Sequence, residues 1–230
     1  MTTGKTPMDE WKMIPWRRVE RAVFKLQKRI YRASLQNDRK KVHRLQRLLI
    51  KSHAGRMLAV RRVTQDNQGK KTAGINGVKS LSPTQRLKLS NCLKLAGEAS
   101  PVRRVEIPKP GSTEKRNLGI PTMRDRAAQA LVKQALEPEW EAKFEPNSYG
   151  FRPGRSCHDA LQAIFGAISI QAKFFLDADI TKCFDRIAHE PLLEKLQTSP
   201  SLRRQINAWL KAGVMDQGVL FRIASPRPVL

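Results

Sequence analysis

Residues 173–189 read KFFLDADITKCFDRIAH, and this stretch decides how the rest of the chain is interpreted. Its first half, residues 174–180, is apolar and aromatic without a helix-stopping residue, so it predicts a buried β-strand. Because side chains alternate across a strand, Asp177 and Asp179 are expected on one face, about 7 Å apart. Asp185 follows in a segment whose pattern turns helical. Three carboxylates are therefore concentrated around one predicted strand end.

An ionised carboxylate is costly to remove from water unless it is paired or bound to a metal. Hard oxygen ligands grouped at the end of a strand suit Mg²⁺, so the stretch predicts a magnesium site. A structural alternative is an Asp that ends the strand and caps the next helix. A second alternative is the Asp-x-Asp metal site of glycosyltransferases, a short pattern that nothing else in the sequence supports.

Composition points to an anionic polymer as partner. The 230 residues include 44 Lys and Arg against 20 Asp and Glu, a formal net charge of +24. Nucleic acid is favoured over a membrane because no apolar run approaches the ~20 residues of a spanning helix. The N-terminus lacks a signal-peptide pattern, and the three cysteines have no pairing or zinc-binding spacing. We therefore expect a cytoplasmic protein with free thiols.

The first hundred residues predict basic helices. Apolar residues at 19, 23, 26, 30 and 33 predict an amphipathic helix that Pro15 begins, and Asp38 is the expected N-cap of a second. The second helix is expected to turn Val42, Leu45, Leu48, Leu49 and Ser52 inward. From residue 17 to residue 62 there are 16 Lys or Arg but only two acids, which favours nucleic-acid contact over an ordinary solvated face. The expected contacts are Arg17, Arg18, Arg21, Lys25, Arg61 and Arg62.

The later segments alternate between helices and turns. A helix is predicted over 54–63, a glycine-rich loop over 64–78, and a helix over 81–99 that begins at Ser82. Residues 103–120 predict a β-hairpin, and a helix follows that ends before Pro138. A turn is predicted over 147–156. Next comes a helix over 157–170 that packs through Ala160, Leu161, Ile164 and Phe165, and two further helices over 191–196 and 202–212.

Several strings resemble group II intron reverse transcriptases, and they fall in that family's order. LDADI with CFDRI is similar to the first catalytic palm motif, and IPTMRDR (120–126) and NSYGFRPGRS (147–156) are similar to earlier blocks. TAGING (72–77) is similar to the loop that opens the fingers, with Ala73 and Asn76 in place of the usual Pro and Asp. The resemblance implies a helix-rich α/β (α+β) fold, an incomplete right-hand polymerase with fingers and part of the palm.

The resemblance also implies roles for individual residues. Asp179 becomes the catalytic carboxylate, holding Mg²⁺ together with the backbone carbonyl of Ile180. Phe184 lies under the sugar of the incoming nucleotide, and Lys109 and Arg116 bind its phosphates. The implied template or RNA contacts are Arg103, Arg104, Arg152 and Arg155. The implied partners are group II intron RNA, an RNA/DNA hybrid and, in a complete enzyme, deoxynucleoside triphosphates.

The sequence departs from the family in one respect that bears on activity. It contains no Asp-Asp pair, which the family carries on a second palm strand, and no GTPQG-like turn after Phe221. We therefore expect a fragment of a reverse transcriptase/maturase that binds intron RNA but is inactive alone, with Mg²⁺ held only in a completed site. The alternative is a non-catalytic RNA-binding protein that assists splicing. The expected organisation is a mobile tail (1–14), a basic helical region (15–100), a fingers hairpin with partial palm (101–221) and an out-of-frame or truncated tail (222–230).

Overall fold

The computed structural model describes residues 7–111, 113–171, 173–181 and 183–221, without the side chains of residues 7–9, 184 and 185. The predicted tail at 222–230 lies outside the described residues. The α-helices are α1 (Pro7–Lys12), α2 (Trp16–Leu35), α3 (Arg39–Lys51), α4 (His53–Arg61), α5 (Pro83–Cys92), α6 (Met123–Glu141), α7 (Cys157–Ile168), α8 (Cys183–Arg186), α9 (His189–Leu196) and α10 (Pro200–Leu210). A π-helical segment (Arg62–Asp66) and a short 3-10 helix (Gln68–Lys71) follow α4, at the start of the predicted glycine-rich loop. The strands are β1 (Val102–Pro108), β2 (Lys115–Ile120), β3 (Val214–Asp216) and β4 (Val219–Phe221).

The predicted helix α2 is confirmed, and so is the cap of α3. Val23, Ile30 and Ala33 are buried along one face of α2. The Asp38 carboxylate accepts a hydrogen bond from the backbone N–H of Lys41, which satisfies one of the free donors in the first turn of α3. The prediction for Leu48 was wrong: it is half exposed, because the buried stripe of α3 runs through Val42, Leu45 and Leu49 on the neighbouring face.

Part of the predicted N-terminal tail is ordered by a tryptophan. Residues 7–12 form α1, and Trp11 is only 3% exposed. Its indole Nε1–H donates to Gln65 Oε1 at 3.1 Å. The Trp11 and Trp16 rings pack edge to face, with their centroids 5.0 Å apart. A buried tryptophan removes a large apolar area from water, which offsets the entropy lost when a short terminal helix is fixed.

Helix α6 lies at the centre of the hydrophobic core. Its buried residues Ala127, Leu131 and Ala135 pack in one cluster with α2, α3 and α4. The predicted end of this helix before Pro138 was wrong, since α6 continues to Glu141. Proline cannot donate to the carbonyl four residues earlier. That carbonyl, of Gln134, instead accepts a hydrogen bond from Gln27 Nε2 at 3.0 Å, so the helix passes through the proline without an unpaired carbonyl.

Helix α5 begins as predicted but is shorter than predicted. Ser82 and Gln85 form a reciprocal capping box at its start. The helix ends at Cys92, seven residues before the predicted end, because Leu93 leaves the helical conformation to enter the core, where it is 1% exposed. Gly97 then adopts a positive φ of 78°, which a helix cannot accommodate.

The predicted hairpin forms the larger part of a four-stranded sheet with the order β2-β1-β3-β4. Strands β1 and β2 are antiparallel, with Arg103 opposite Ile120 and Ile107 opposite Arg116. Strand β3 runs parallel to β1, with Val102 opposite Val214, and β4 returns antiparallel to β3. The sheet thus joins the hairpin to the last described residues of the chain.

Two predictions for residues 157–180 were wrong. Residues 173–180 form no strand, and Phe174, Phe175 and Leu176 are almost fully exposed. A strand requires a partner for its backbone N–H and C=O groups, and no described strand lies beside this segment. Helix α7 forms, but its apolar residues Leu161 and Phe165 are exposed rather than packed, because no described element covers them.

The helices predicted over 54–63, 191–196 and 202–212 are confirmed as α4, α9 and α10. Leu193 and Leu202 are the buried anchors of α9 and α10. Cys92, Cys157 and Cys183 are free thiols. None of the described helices combines the length and the apolar composition that crossing a membrane requires.

Candidate nucleic-acid interface

The outer face of α2 carries a cluster of exposed cations. Arg17, Arg18, Arg21 and Lys25 are all exposed, and among the described residues none of them forms an ion pair. Arg18, Arg21 and Lys25 line one shallow depression. Spacings of three and four residues place these side chains on neighbouring turns of one helix face. The face can therefore meet several phosphates of one anionic polymer.

Arg61 does not belong to this free cationic face. Its guanidinium contacts Glu20 Oε1 at 3.1 Å and Asp66 Oδ2 at 3.4 Å, and it lies 4.7 Å from the centre of the Trp16 ring. These contacts tie α4 to the start of α2, so the residue supports the face rather than extending it. Its neighbour Arg62 is exposed.

The hairpin cations differ in whether they form ion pairs within the protein. Lys109 is ion-paired with Glu114, whereas Arg116 is exposed without an ion pair to any described residue. Lys115 pairs with Glu106 at 2.7 Å, and the hydrogen bond lowers the pKa of the Glu106 carboxyl below its ordinary value. Arg116 is thus the hairpin cation most available to a phosphate in this structure.

Arg103 and Arg104, at the base of the hairpin, are engaged by neighbouring segments. Arg103 Nε donates to the backbone carbonyl of Ala73 at 2.9 Å, which fixes the glycine loop to β1. Arg104 Nη1 contacts Asp216 Oδ2 at 3.0 Å, and its guanidinium lies 5.8 Å from the Phe221 ring. Both side chains are partly exposed, so an RNA contact remains a prediction for them.

Arg126 has a supporting role that the sequence reasoning missed. It donates to three backbone carbonyls, those of Gly69 at 2.7 Å, Thr72 at 2.5 Å and Pro121 at 2.9 Å. Burial, and secondarily the charge of Arg103, lower the pKa of Arg126. The side chain holds the glycine loop onto the junction between β2 and α6. The sequence feature that could have indicated this role is the position of Arg126 in IPTMRDR at a helix start, where a charged residue partly faces inward.

Arg152, predicted to face the template, is turned into the protein. Its guanidinium forms a two-pronged contact with Glu141, with Nη2–Oε1 at 2.6 Å and Nε–Oε2 at 3.1 Å, while Nη1 donates to the carbonyls of Glu145 and Ser148. The bond to Glu141 raises the pKa of Arg152 and lowers that of Glu141. Arg155 is exposed and lies 5.5 Å from the Tyr149 ring, so it is the more accessible arginine of this turn.

The segment that carries Asp179 is open to solvent. Asp177 and Asp179 are exposed without a hydrogen-bond partner among the described residues, and the backbone carbonyl of Ile180 accepts a bond from the Cys183 N–H at 3.2 Å. The side chain of Phe184 lies outside the described part of the chain. Within that part, no three His, Cys, Asp or Glu side chains converge as metal ligands. As arranged here, these residues do not make a complete magnesium site.

Comparison with known proteins gives concordant matches along the chain. Residues 11–93 match the N-terminal domain of reverse transcriptase, and residues 107–225 match the reverse transcriptase (RNA-dependent DNA polymerase) domain. Protein YkfC of Escherichia coli (strain K12) is 35% identical over 196 residues, which cover 79% of this chain and 51% of that protein.

Two further relatives are named after introns or maturases. Maturase-like protein 1 of Euglena gracilis is 31% identical over 212 residues, covering 86% of this chain and 44% of that protein. Group II intron-encoded protein LtrA of Lactococcus lactis subsp. cremoris is 39% identical over 134 residues, covering 56% of this chain and 22% of that protein. The chain spans about half the length of these relatives, or less.

Proposed function

Because the chain belongs to the group II intron reverse transcriptases and maturases, we propose that it binds structured intron RNA through the outer face of α2. The observation that carries this proposal is the cluster of four exposed cations on that face without acidic partners among the described residues. Cations of this kind bind phosphates and release the counterions condensed on RNA. Exposed cations on α3, Arg39, Lys40, Arg44 and Arg47, add to the attraction.

The proposal is tested by removing the four α2 cations together and measuring affinity for a structured intron RNA over a range of salt concentrations. In the variant with Arg17, Arg18, Arg21 and Lys25 changed to Gln, the slope of log affinity against log salt should fall by about 3–4. The matched control changes four exposed lysines outside α2 and α3, Lys88, Lys94, Lys195 and Lys211, to Gln and therefore has the same net charge. If both variants lose the same slope, charge alone explains binding and the α2 face is not the site.

A second proposal concerns catalysis by a completed enzyme. We infer that Asp179 supplies one carboxylate of a nucleotidyl-transfer site, with Lys109 and Arg116 toward the phosphates and Phe184 beside the sugar of the nucleotide. Membership of the family and the match over residues 107–225 support it. In this proposal, further carboxylates and a strand that covers Asp179 come from outside the described residues. We expect no nucleotide addition from the described residues alone.

The catalytic proposal is tested by supplying the remaining part of a related enzyme as a separate polypeptide and measuring cDNA synthesis. Asp179→Asn should reduce synthesis by several orders of magnitude, because the site loses a charge on which catalysis depends. Asp177→Asn, two residues away and also exposed, is the matched control and should retain most of the activity. Primer extension by the chain alone, or extension that survives Asp179→Asn, would contradict the proposal.

A further inference from the structure

A groove beside the basic face of α2 has aromatic and cationic walls. It has a volume of about 480 Å³ and runs between α2, the end of α6 and the turn that follows it. Phe24 and Leu35 are more than half exposed in it, and Tyr31 is 38% exposed. Exposed aromatic rings on a charged surface are typical of binding sites rather than of an ordinary solvated helix face. The groove is therefore a candidate site separate from the four-cation cluster.

The floor of the groove is fixed by two hydrogen bonds between α2 and α6. Gln27 Nε2 donates to the Gln134 carbonyl that Pro138 leaves without a helical donor, at 3.0 Å. Ser34 Oγ donates to the Glu139 carbonyl, also at 3.0 Å. These bonds hold the two helices on either side of Pro138, so the groove exists before a ligand arrives.

The far wall is fixed by the turn that carries Pro153. Arg152 anchors this turn through its two-pronged contact with Glu141 and its bonds to two backbone carbonyls. The same contact neutralises the Glu141 carboxylate inside the groove, and Glu137 is paired with Lys133 at 3.3 Å. Both acids that line the groove thus have cationic partners.

The cations of the groove, in contrast, have no acidic partners among the described residues. Lys28 and Arg32 are exposed, and Lys28 Nζ lies 5.5 Å from the centre of the Phe24 ring. A phosphate held by Lys28 would therefore lie next to an aromatic face. Aromatic rings combined with unpaired cations are the pattern by which proteins bind unpaired nucleotides, through base stacking and phosphate contacts.

We propose that this groove binds unpaired nucleotides of RNA, with one base stacked on Phe24, another on Tyr31 and the adjoining phosphates held by Lys28 and Arg32. The inference deepens the RNA binding proposed above and rests on it. A second copy of the chain is a poorer occupant, because each copy has a formal net charge of +24 and the two would repel one another. The groove would let the protein distinguish single-stranded from paired RNA, which the four-cation cluster cannot do.

The test uses a short single-stranded RNA containing one 2-aminopurine, and the same strand annealed to its complement. The single strand should bind more tightly, and its fluorescence should be quenched by stacking. Phe24→Ala and Tyr31→Ala should each lower single-strand affinity by about 5- to 150-fold, the range expected for one stacked base. They should leave the salt slope unchanged. Lys28→Gln with Arg32→Gln should reduce that slope by about 1–2.

The matched control is Leu48→Ala, which removes a half-exposed apolar side chain on α3 outside the groove and should not change affinity. Thermal unfolding of each variant checks that the fold is retained. Equal binding of Phe24→Ala and Leu48→Ala, or equal affinity for paired and unpaired RNA, would overturn the groove proposal while RNA binding itself stands. Loss of self-association in Phe24→Ala, with RNA binding intact, would assign the groove to a second copy. Absence of RNA binding by the unmodified protein at low salt would instead overturn the proposed function.

Discussion

All three guanidinium nitrogens of Arg152 donate hydrogen bonds within the protein. The contact with Glu141 changes the pKa of that carboxyl. The hydrogen bond from Arg152 lowers the pKa of Glu141 below its ordinary value of about 4.5. A carboxyl whose pKa is lowered by folding stabilises the folded state above its unfolded pKa, and that contribution disappears as pH falls through the folded pKa. The pair therefore contributes to stability at neutral pH and loses its contribution in acid.

This linkage predicts the behaviour of Glu141→Gln. At pH 7 the variant should be less stable than the unmodified protein by about 1 kcal/mol, because a charge-assisted hydrogen bond is weakened. The difference should shrink as the pH is lowered below about 4.5. Urea denaturation at a series of pH values measures it. The control Glu145→Gln changes an exposed carboxylate of the same turn. A difference that stays constant from neutral to acid pH would show that the ion pair does not contribute to stability.

Helix α6 shows how a proline is accommodated inside a helix. Gln27→Met should destabilise the protein by about 1–3 kcal/mol, because the buried Gln134 carbonyl loses its donor. In a Pro138→Ala background the new N–H at residue 138 can donate to that carbonyl, so the same substitution should cost clearly less. Chemical denaturation of the four proteins of this double-mutant cycle measures the coupling. Gln36→Met, an exposed change near the end of α2, is the control. Equal costs in both backgrounds would refute the explanation.

Elements defined by local pattern were predictable from the sequence, whereas elements defined by distant partners were not. The apolar spacing of α2 and the cap of α3 are local, and the structure confirms both. The continuation of α6 past Pro138 depends on Gln27, 107 residues earlier than its acceptor. The apolar run 174–180 satisfies the pattern of a strand, but a pattern cannot supply the neighbouring strand that its backbone needs.

The same limit applies to the candidate nucleic-acid interface. Charge counting identified the basic face of α2, because exposed cations in an amphipathic helix follow directly from their spacing. The inward orientation of Arg152 depends on Glu141 at the end of α6, and the role of Arg126 depends on the position of the glycine loop. The groove depends on α2, α6 and a turn meeting in space, so only the structure reveals it.

The parallel pairing of β1 with β3 has a consequence for the nascent chain. The β1–β2 hairpin and most of the helical core are complete once α6 has been synthesised, but the start of the second edge of β1, at Val102 and Arg103, is paired only by Val214 and Met215 of β3. At about 5–20 residues per second, translation of the intervening segment takes on the order of 5–20 s. During that interval the start of β1 also presents unpaired N–H and C=O groups, which can pair with a neighbouring chain on the same polysome. Slower translation between codons 121 and 213 would prolong this exposure.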